Sequence, residues 1–233
     1  MTFDVRPAPT RFHTELDWLD SWHSFSFGSH HDPRNTGHGL LIVNNDDVVR
    51  GGGGFGTHGH RDMEILTWVL SGALEHRDNL GTHGVIRPGE AQVMSAGTGI
   101  RHSEFNASAT EPVHFLQIWI LPQQTGLPPR YGQVAFQEAD LRNSLHLIAS
   151  PDGAGGSVKV LQDLRVFAGW LDSDREVQAT ILPGRAGFLQ VATGEVSLNG
   201  VALQAGDGAR IEGESSITVV AGAPSEILYF DLA

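Results

Sequence analysis

A pattern that occurs twice restricts this chain more than any other feature. Trp68-Val69-Leu70-Ser71-Gly72-Ala73-Leu74-Glu75 reads as apolar strand, glycine turn and second strand, and Arg87-Pro88-Gly89-Glu90-Ala91-Gln92-Val93 adds a Gly-acidic turn and a further strand. Much later, Leu189-Gln190-Val191-Ala192-Thr193-Gly194-Glu195-Val196-Ser197-Leu198 and Gln204-Ala205-Gly206-Asp207-Gly208-Ala209-Arg210-Ile211 run through the same order. A meander repeated in this way predicts an all-β chain of two small antiparallel barrels or sandwiches. The length of 233 residues suits two compact domains. The 29 glycines and 11 prolines suit short strands joined by frequent turns.

Further strand-like runs lie at residues 64–70, 115–121, 217–220 and 227–230, each bounded by Gly, Pro, Asn or Asp. Residues 17–22 read as a short helix or turn, and 110–112 as loop. The stretch 122–140, with Pro128-Pro129 and several glutamines, reads as the connection between the units. This places an N-terminal domain at 1–135 and a C-terminal domain at 136–233.

Charge and composition remove several functions. The formal net charge is -12 and Lys159 is the sole lysine, so the chain lacks the basic face that grips nucleic acid or an anionic membrane surface. The absence of cysteine excludes disulfides, thiol catalysis and zinc–thiolate sites. The first 20 residues carry scattered charges and no apolar core of a secretory signal, and no stretch reaches membrane-spanning length. A soluble cytoplasmic protein is expected.

Of the 12 histidines, His13, His23, His30, His31, His38, His76, His83, His114 and His146 stand alone or in polar loops, where surface or core packing explains them. Two pairs differ. His58 and His60 flank Gly59, and His102 and Glu104 flank Ser103. Residues i and i+2 of a strand share a face, so each pair can aim both side chains into a barrel. Three imidazoles and a carboxylate suit a divalent first-row transition ion. The competing reading, polar loop residues beside Gly-rich turns, suits one pair better than two placed before and after one hairpin system.

Gly59 leaves room for a close backbone approach or marks a bend. Residues 51–54 lack the Gly-Lys-Ser/Thr ending of a phosphate loop. In an unbroken strand Glu64 shares a face with His58 and His60, and we expect it to support a histidine rather than to ligate. The second repeat has Leu182 at the place of His60, and no histidine follows His146. One metal per chain is therefore expected, and the C-terminal unit is expected to be a structural barrel without ligands.

The motifs Gly54-Phe55-Gly56-Thr57-His58-Gly59-His60-Arg61-Asp62-Met63-Glu64, Leu74-Glu75-His76-Arg77-Asp78, Gly84-Val85-Ile86-Arg87-Pro88-Gly89 and Met94-Ser95-Ala96-Gly97-Thr98-Gly99-Ile100-Arg101-His102-Ser103-Glu104 resemble the pirin family of the cupin superfamily, bacterial pirin-like quercetinases in particular. Residues 18–27 and 117–120 also look familial. The likeness is specific over most of the first 131 residues and looser beyond. The chain departs from the family at one point: the common His-Pro-His is His58-Gly59-His60 here.

The resemblance implies a bicupin, two stacked antiparallel β-barrels of the double-stranded β-helix or jelly-roll type with minor helix, metal-bound only in the first. It implies His58, His60, His102 and Glu104 as metal ligands, most often for iron(II), with manganese, cobalt, nickel, copper and zinc also admissible. The implied reaction is that of quercetin 2,3-dioxygenase: a flavonol and O2 are the partners, the ring is cleaved and carbon monoxide is lost. Glu104 would also take the flavonol 3-hydroxyl proton. Phe55, Met63, Met94 and Phe115 are candidates for apolar lining, with core packing the alternative for each. Two further readings stay open: a metal-binding regulator acting through protein partners, and a cupin isomerase or sugar-binding module. No nucleic acid or membrane partner is expected, and a monomer is the expectation.

Overall fold

Short strands carry the fold: some, such as Leu19–His23 and Ile100–Asn106, alternate buried and more exposed side chains, whereas Glu64–Ser71, Ala186–Thr193 and Ser225–Leu232 are buried on both faces. The computed structural model describes residues 2–233, in which one α-helix, Glu138–Leu141, and two 3-10 turns, Ala8–Thr10 and Ala154–Gly156, interrupt the strands. The first barrel pairs a seven-stranded sheet with a four-stranded one. The large sheet runs Arg130–Ala135, Glu90–Ser95, Glu64–Ser71, Val113–Ile120, Leu41–Val49, Leu19–His23, Phe12–Glu15. The small sheet runs Gly54–His60, Ile100–Asn106, Leu74–Asp78, His83–Ile86.

The second barrel repeats this plan. Its large sheet runs Thr2–Arg6, Gly208–Glu212, Ala186–Thr193, Ser225–Leu232, Leu164–Leu171, His146–Ser150, Val158–Lys159. Its small sheet runs Glu176–Thr180, Ser216–Ala221, Glu195–Leu198, Val201–Gln204. The molecule is thus a bicupin. Its first strand, Thr2–Arg6, pairs with Gly208–Glu212 and so completes the far sheet.

The repeat seen in the sequence has a backbone counterpart. Gly72 (φ +76) and Gly194 (φ +79) occupy equivalent turns, and a Cβ on either would lie 2.6 and 2.3 Å from the carbonyl oxygens of Pro112 and Pro224. Positive φ and a backbone carbonyl in the way both demand glycine.

The two large sheets pack back to back. Leu66, Trp68, Leu116 and Ile118 from the first share one apolar core with Val166, Phe188, Leu228 and Phe230 from the second. Polar bonds cross the same seam. Trp68 Nε1 donates to Glu226 at 2.6 Å, Asn44 Nδ2 to Gln190 at 2.6 Å, and the Leu161 N–H to Glu64 at 2.9 Å. Odd and even residues of one strand therefore serve different purposes. Leu116 and Ile118 face the seam, whereas Phe115 belongs to the first barrel's own core and Gln117 and Trp119 line its cavity.

Two expectations are corrected. Residues 17–22 form no helix, because Leu19–His23 is a strand with buried Leu19, Ser21 and His23 alternating with more exposed Asp20 and Trp22. The stretch 122–140 is not all connection, because Arg130–Ala135 adds to the first barrel by pairing with Glu90–Ser95. Residues 110–112 are loop, as expected. Among the described residues no helix is long and apolar enough to cross a membrane.

Candidate metal centre

The small sheet of the first barrel supplies the site. Gly54–His60 runs antiparallel to Ile100–Asn106, with His58 opposite His102. The register slips between His102 and Glu104, so that Phe55 rather than Gly56 lies opposite Glu104. Such a bulge re-aims side chains. Here Phe55 lines the same cavity as His58 and His60. On the other side, Leu74–Asp78 places His76 opposite Glu104.

Ligating atoms gather in two groups that share His102. Those of His58, His60 and His102 lie within 4.8 Å of one another, and so do those of His76, His102 and Glu104. His102 Nε2 is 3.1 Å from His58 Nε2, and its Nδ1 is 3.4 Å from His76 Nδ1. The His58 ring is fixed by its Nδ1, 2.8 Å from the Gly56 carbonyl, and His76 by its Nε2, 3.2 Å from Asp78. The His60 ring stands edge-on to Trp119 at 4.9 Å between centroids. Gln117 Nε2 donates to Glu104 at 2.9 Å.

Electrostatics hold His60 and His102 in the neutral form a cation requires. Burial, then the neighbouring imidazoles, push His102 down to about 2 and His60 to about 4, so both rings are neutral donors near pH 7. His76 is lowered chiefly by burial, against the pull of Asp78. Burial pushes Glu104 up to about 7, with Gln117 opposing. A buried carboxylate without a counter-charge, beside converging imidazoles, is the donor set a divalent ion fits.

The pair Glu104 and His102 and the pair His58 and His60 are thus brought together, whereas Glu64 is not. It accepts from Ser95 Oγ at 2.7 Å and from the Leu161 N–H, on the face that meets the second barrel. Residues 58, 60 and 64 would share a face only along an unbroken strand. Arg61 to Met63 interrupt it, with Asp62 at φ +49, and Glu64 opens a strand of the other sheet. Glu64 therefore supports no histidine. Gly59 is not tightly approached either, since an added Cβ would meet nothing nearer than 3.6 Å. Of the lining candidates, Phe55 faces the cavity, while Met94 and Phe115 are fully buried in the core and Met63 packs against it.

His76 was misplaced among the solitary histidines. The one sequence signal for it was Asp78 two residues on, a same-face partner. Gln117 and Asp47 had no signal, being brought in by strands distant in sequence. The cavity above these groups measures about 560 Å³ and includes Trp18, Phe27, Phe55 and Trp119 in its walls and Asp47, Glu104 and Gln117 among its polar groups.

Comparison with known proteins agrees with this geometry. Residues 5–120 match the family model described as Pirin, and residues 147–232 match that of the quercetinase C-terminal cupin domain. Quercetin 2,3-dioxygenase of Escherichia coli K12 is 46% identical over 98% of this chain and 97% of its own. A pirin-like protein of Caulobacter vibrioides is 40% identical over 99% of both. The crystal structure of bacterial pirin YhhW from Escherichia coli in complex with nickel(II) superposes with a TM-score of 0.94, at 45% identity, over 99% of each chain.

Proposed function

The chain belongs to the pirin family, and from that premise we propose that it is a metal-dependent dioxygenase cleaving flavonols such as quercetin with O2 and releasing carbon monoxide. One observation carries the reading. Two clusters of ligating side chains that share His102, one with His58 and His60 and one with His76 and Glu104, lie beside a cavity of about 560 Å³ with aromatic walls. That size falls within the roughly 300–1,000 Å³ of small-molecule sites.

His58, His60, His102 and Glu104 would hold one divalent ion, iron(II) by preference and manganese, cobalt, nickel, copper or zinc in its place. The relative crystallised with nickel(II) supports a divalent occupant. When bound, the ion supplies positive charge that favours an ionised flavonol 3-hydroxyl and leaves coordination positions open. Glu104, the buried carboxylate of the site, is the group placed to take that proton, and the bound ion would draw its proton affinity below that of the metal-free protein. Gln117 orients the carboxylate by its 2.9 Å hydrogen bond. Trp18 and Phe55, edge-on at 5.1 Å, and Trp119 beside His60 offer flat faces to an aromatic substrate and keep water out.

In this reaction both atoms of O2 remain in the opened product and the carbon bearing the 3-hydroxyl leaves as carbon monoxide. The test is protein loaded with iron(II), given quercetin and O2, with flavonol absorbance and carbon monoxide followed together. Turnover with stoichiometric carbon monoxide is expected. No turnover with any of the six metals would remove the enzyme reading.

A further inference from the structure

The cavity has a second polar wall that the ligand set leaves unused. Phe12–Glu15, Leu19–His23 and Leu41–Val49 run side by side at one edge of the large sheet, with Thr14 opposite Ser21 and Ser21 opposite Asp47. Their side chains join into a line. Ser21 Oγ donates to Asp47 Oδ1 and lies 3.4 Å from His23 Nδ1. His23 Nε2 is 2.9 Å from Thr14 Oγ1, which is 3.1 Å from His30 Nε2. Asp47, Ser21 and His23 are buried, at 3%, 2% and 2% exposure, whereas Thr14 and His30 are half-buried. The line therefore starts inside the barrel and ends near solvent, and its first four members all line the cavity.

We propose that Asp47, Ser21, His23, Thr14 and His30 form a proton relay that carries the proton released on flavonol ionisation from the cavity to solvent. This rests on the flavonol reading above. Each member is a carboxyl, hydroxyl or imidazole, the groups that both donate and accept. Ser21 first turns its hydroxyl hydrogen from Asp47 to His23 Nδ1; each bond then passes one proton outward, so that one proton enters at Asp47 as another leaves at His30 and nothing else is consumed. A flat ligand filling the cavity displaces water, so a side-chain route persists when a solvent route is closed.

Charge favours the same path. Burial pushes Asp47 up to about 7, with Ser21 and His114 opposing and the charges of Asp46 and Glu104 adding. His23 is lowered by burial, with Asn45 opposing and His30, Arg11 and His13 adding. The carboxyl is thereby lifted out of the ordinary carboxylate range, so that it can hold a proton near neutrality and pass it on.

The test is anaerobic, so that no turnover intervenes. Metal-loaded protein is mixed with quercetin in a stopped-flow instrument. Tryptophan quenching, from Trp18 and Trp119 in the cavity wall, reports binding, and the red-shifted absorbance reports the ionised flavonol. In Ser21→Ala, quenching is retained and ionisation slows by about tenfold or more. Ser21→Thr restores it, and Thr14→Val, farther from the barrel interior, slows it likewise. Ionisation at the wild-type rate in both Ser21→Ala and Thr14→Val overturns the relay. If wild-type protein fails to bind quercetin, the flavonol reading falls, and the relay is judged on metal-free protein. There, Asp47→Asn shifts the NMR titration of the His23 ring by about half a pH unit or more if the line carries charge. An unmoved His23 titration overturns it.

Discussion

Replacing Glu104 with glutamine should make the metal-stripped protein more stable, although it removes a functional group. Glu104 is buried, one hydrogen bond from Gln117 supports it, and its ordinary value of 4.5 is pushed up to about 7 by burial. Between those values the folded chain keeps the proton while the unfolded chain releases it. The folded state then binds more protons, so stability falls as pH rises from 4.5 to about 7, and the full penalty stands above that. At about 1.4 kcal/mol per pH unit the penalty is about 3 kcal/mol. Glutamine carries none of it and still accepts from Gln117. For a chain of this size about 3 kcal/mol corresponds to roughly 6–12 °C in Tm. Chelator-treated wild type and Glu104→Gln, melted at pH 5 and pH 8, should differ by that margin at pH 8 and much less at pH 5. Loading with metal should reverse the order, since an ion binding the folded wild type stabilises it by mass action. A stripped variant that melts at or below wild type at pH 8 would refute the claim that an uncompensated carboxylate is held there.

Other consequences follow from single contacts. His58→Ala should lose about 100-fold in metal affinity, taking roughly 10–16 kcal/mol for a four-ligand site shared among its donors, and elemental analysis should find little bound ion. Glu64→Ala should cost about 2–4 kcal/mol by orphaning Ser95 and the Leu161 N–H, yet leave metal content unchanged; lost metal would return Glu64 to the site. Gly194→Ala should cost about 2 kcal/mol or more, read by chemical denaturation, because φ is +79 and the Pro224 carbonyl occupies the Cβ position. Phe55→Ala should raise KM for quercetin several-fold with kcat little changed, as removal of uniform binding does.

Sequence patterns reached the fold and the two candidate pairs because both are local. Glycine turns at 72 and 194 announce hairpins, and His58/His60 and His102/Glu104 share faces by strand parity alone. What lay outside that reach depends on register between distant strands. His76 meets Glu104 because Leu74–Asp78 pairs with Ile100–Asn106. Asp47 meets Ser21 because Leu19–His23 pairs with Leu41–Val49. The strand Leu19–His23 itself was hidden because its buried residues include Ser21 and His23, so polarity masked the period of two. Glu64 shows the converse failure, in which parity was carried across a break that Asp62 introduces.

A barrel without histidine ligands still has a physical part in the chemistry of its neighbour. The strands that line the cavity are the strands that meet the second barrel. Within Leu41–Val49, Asn44 bonds to Gln190 across the seam while Asn45 and Asp47 face the cavity. Within Val113–Ile120, Leu116 and Ile118 pack against the seam while Gln117 and Trp119 face inward. Covering the outer face fixes the alternation of each strand, since slipping by one residue would turn Asn44 and Asp46 into the cavity and expose Asp47 to the apolar seam. The second barrel thereby sets which side chains reach the metal centre and the proposed relay. Loosening the seam, for instance by Gln190→Ala, should perturb cavity ligand binding before it perturbs His58, His60 and His102, which sit on the small sheet away from that face.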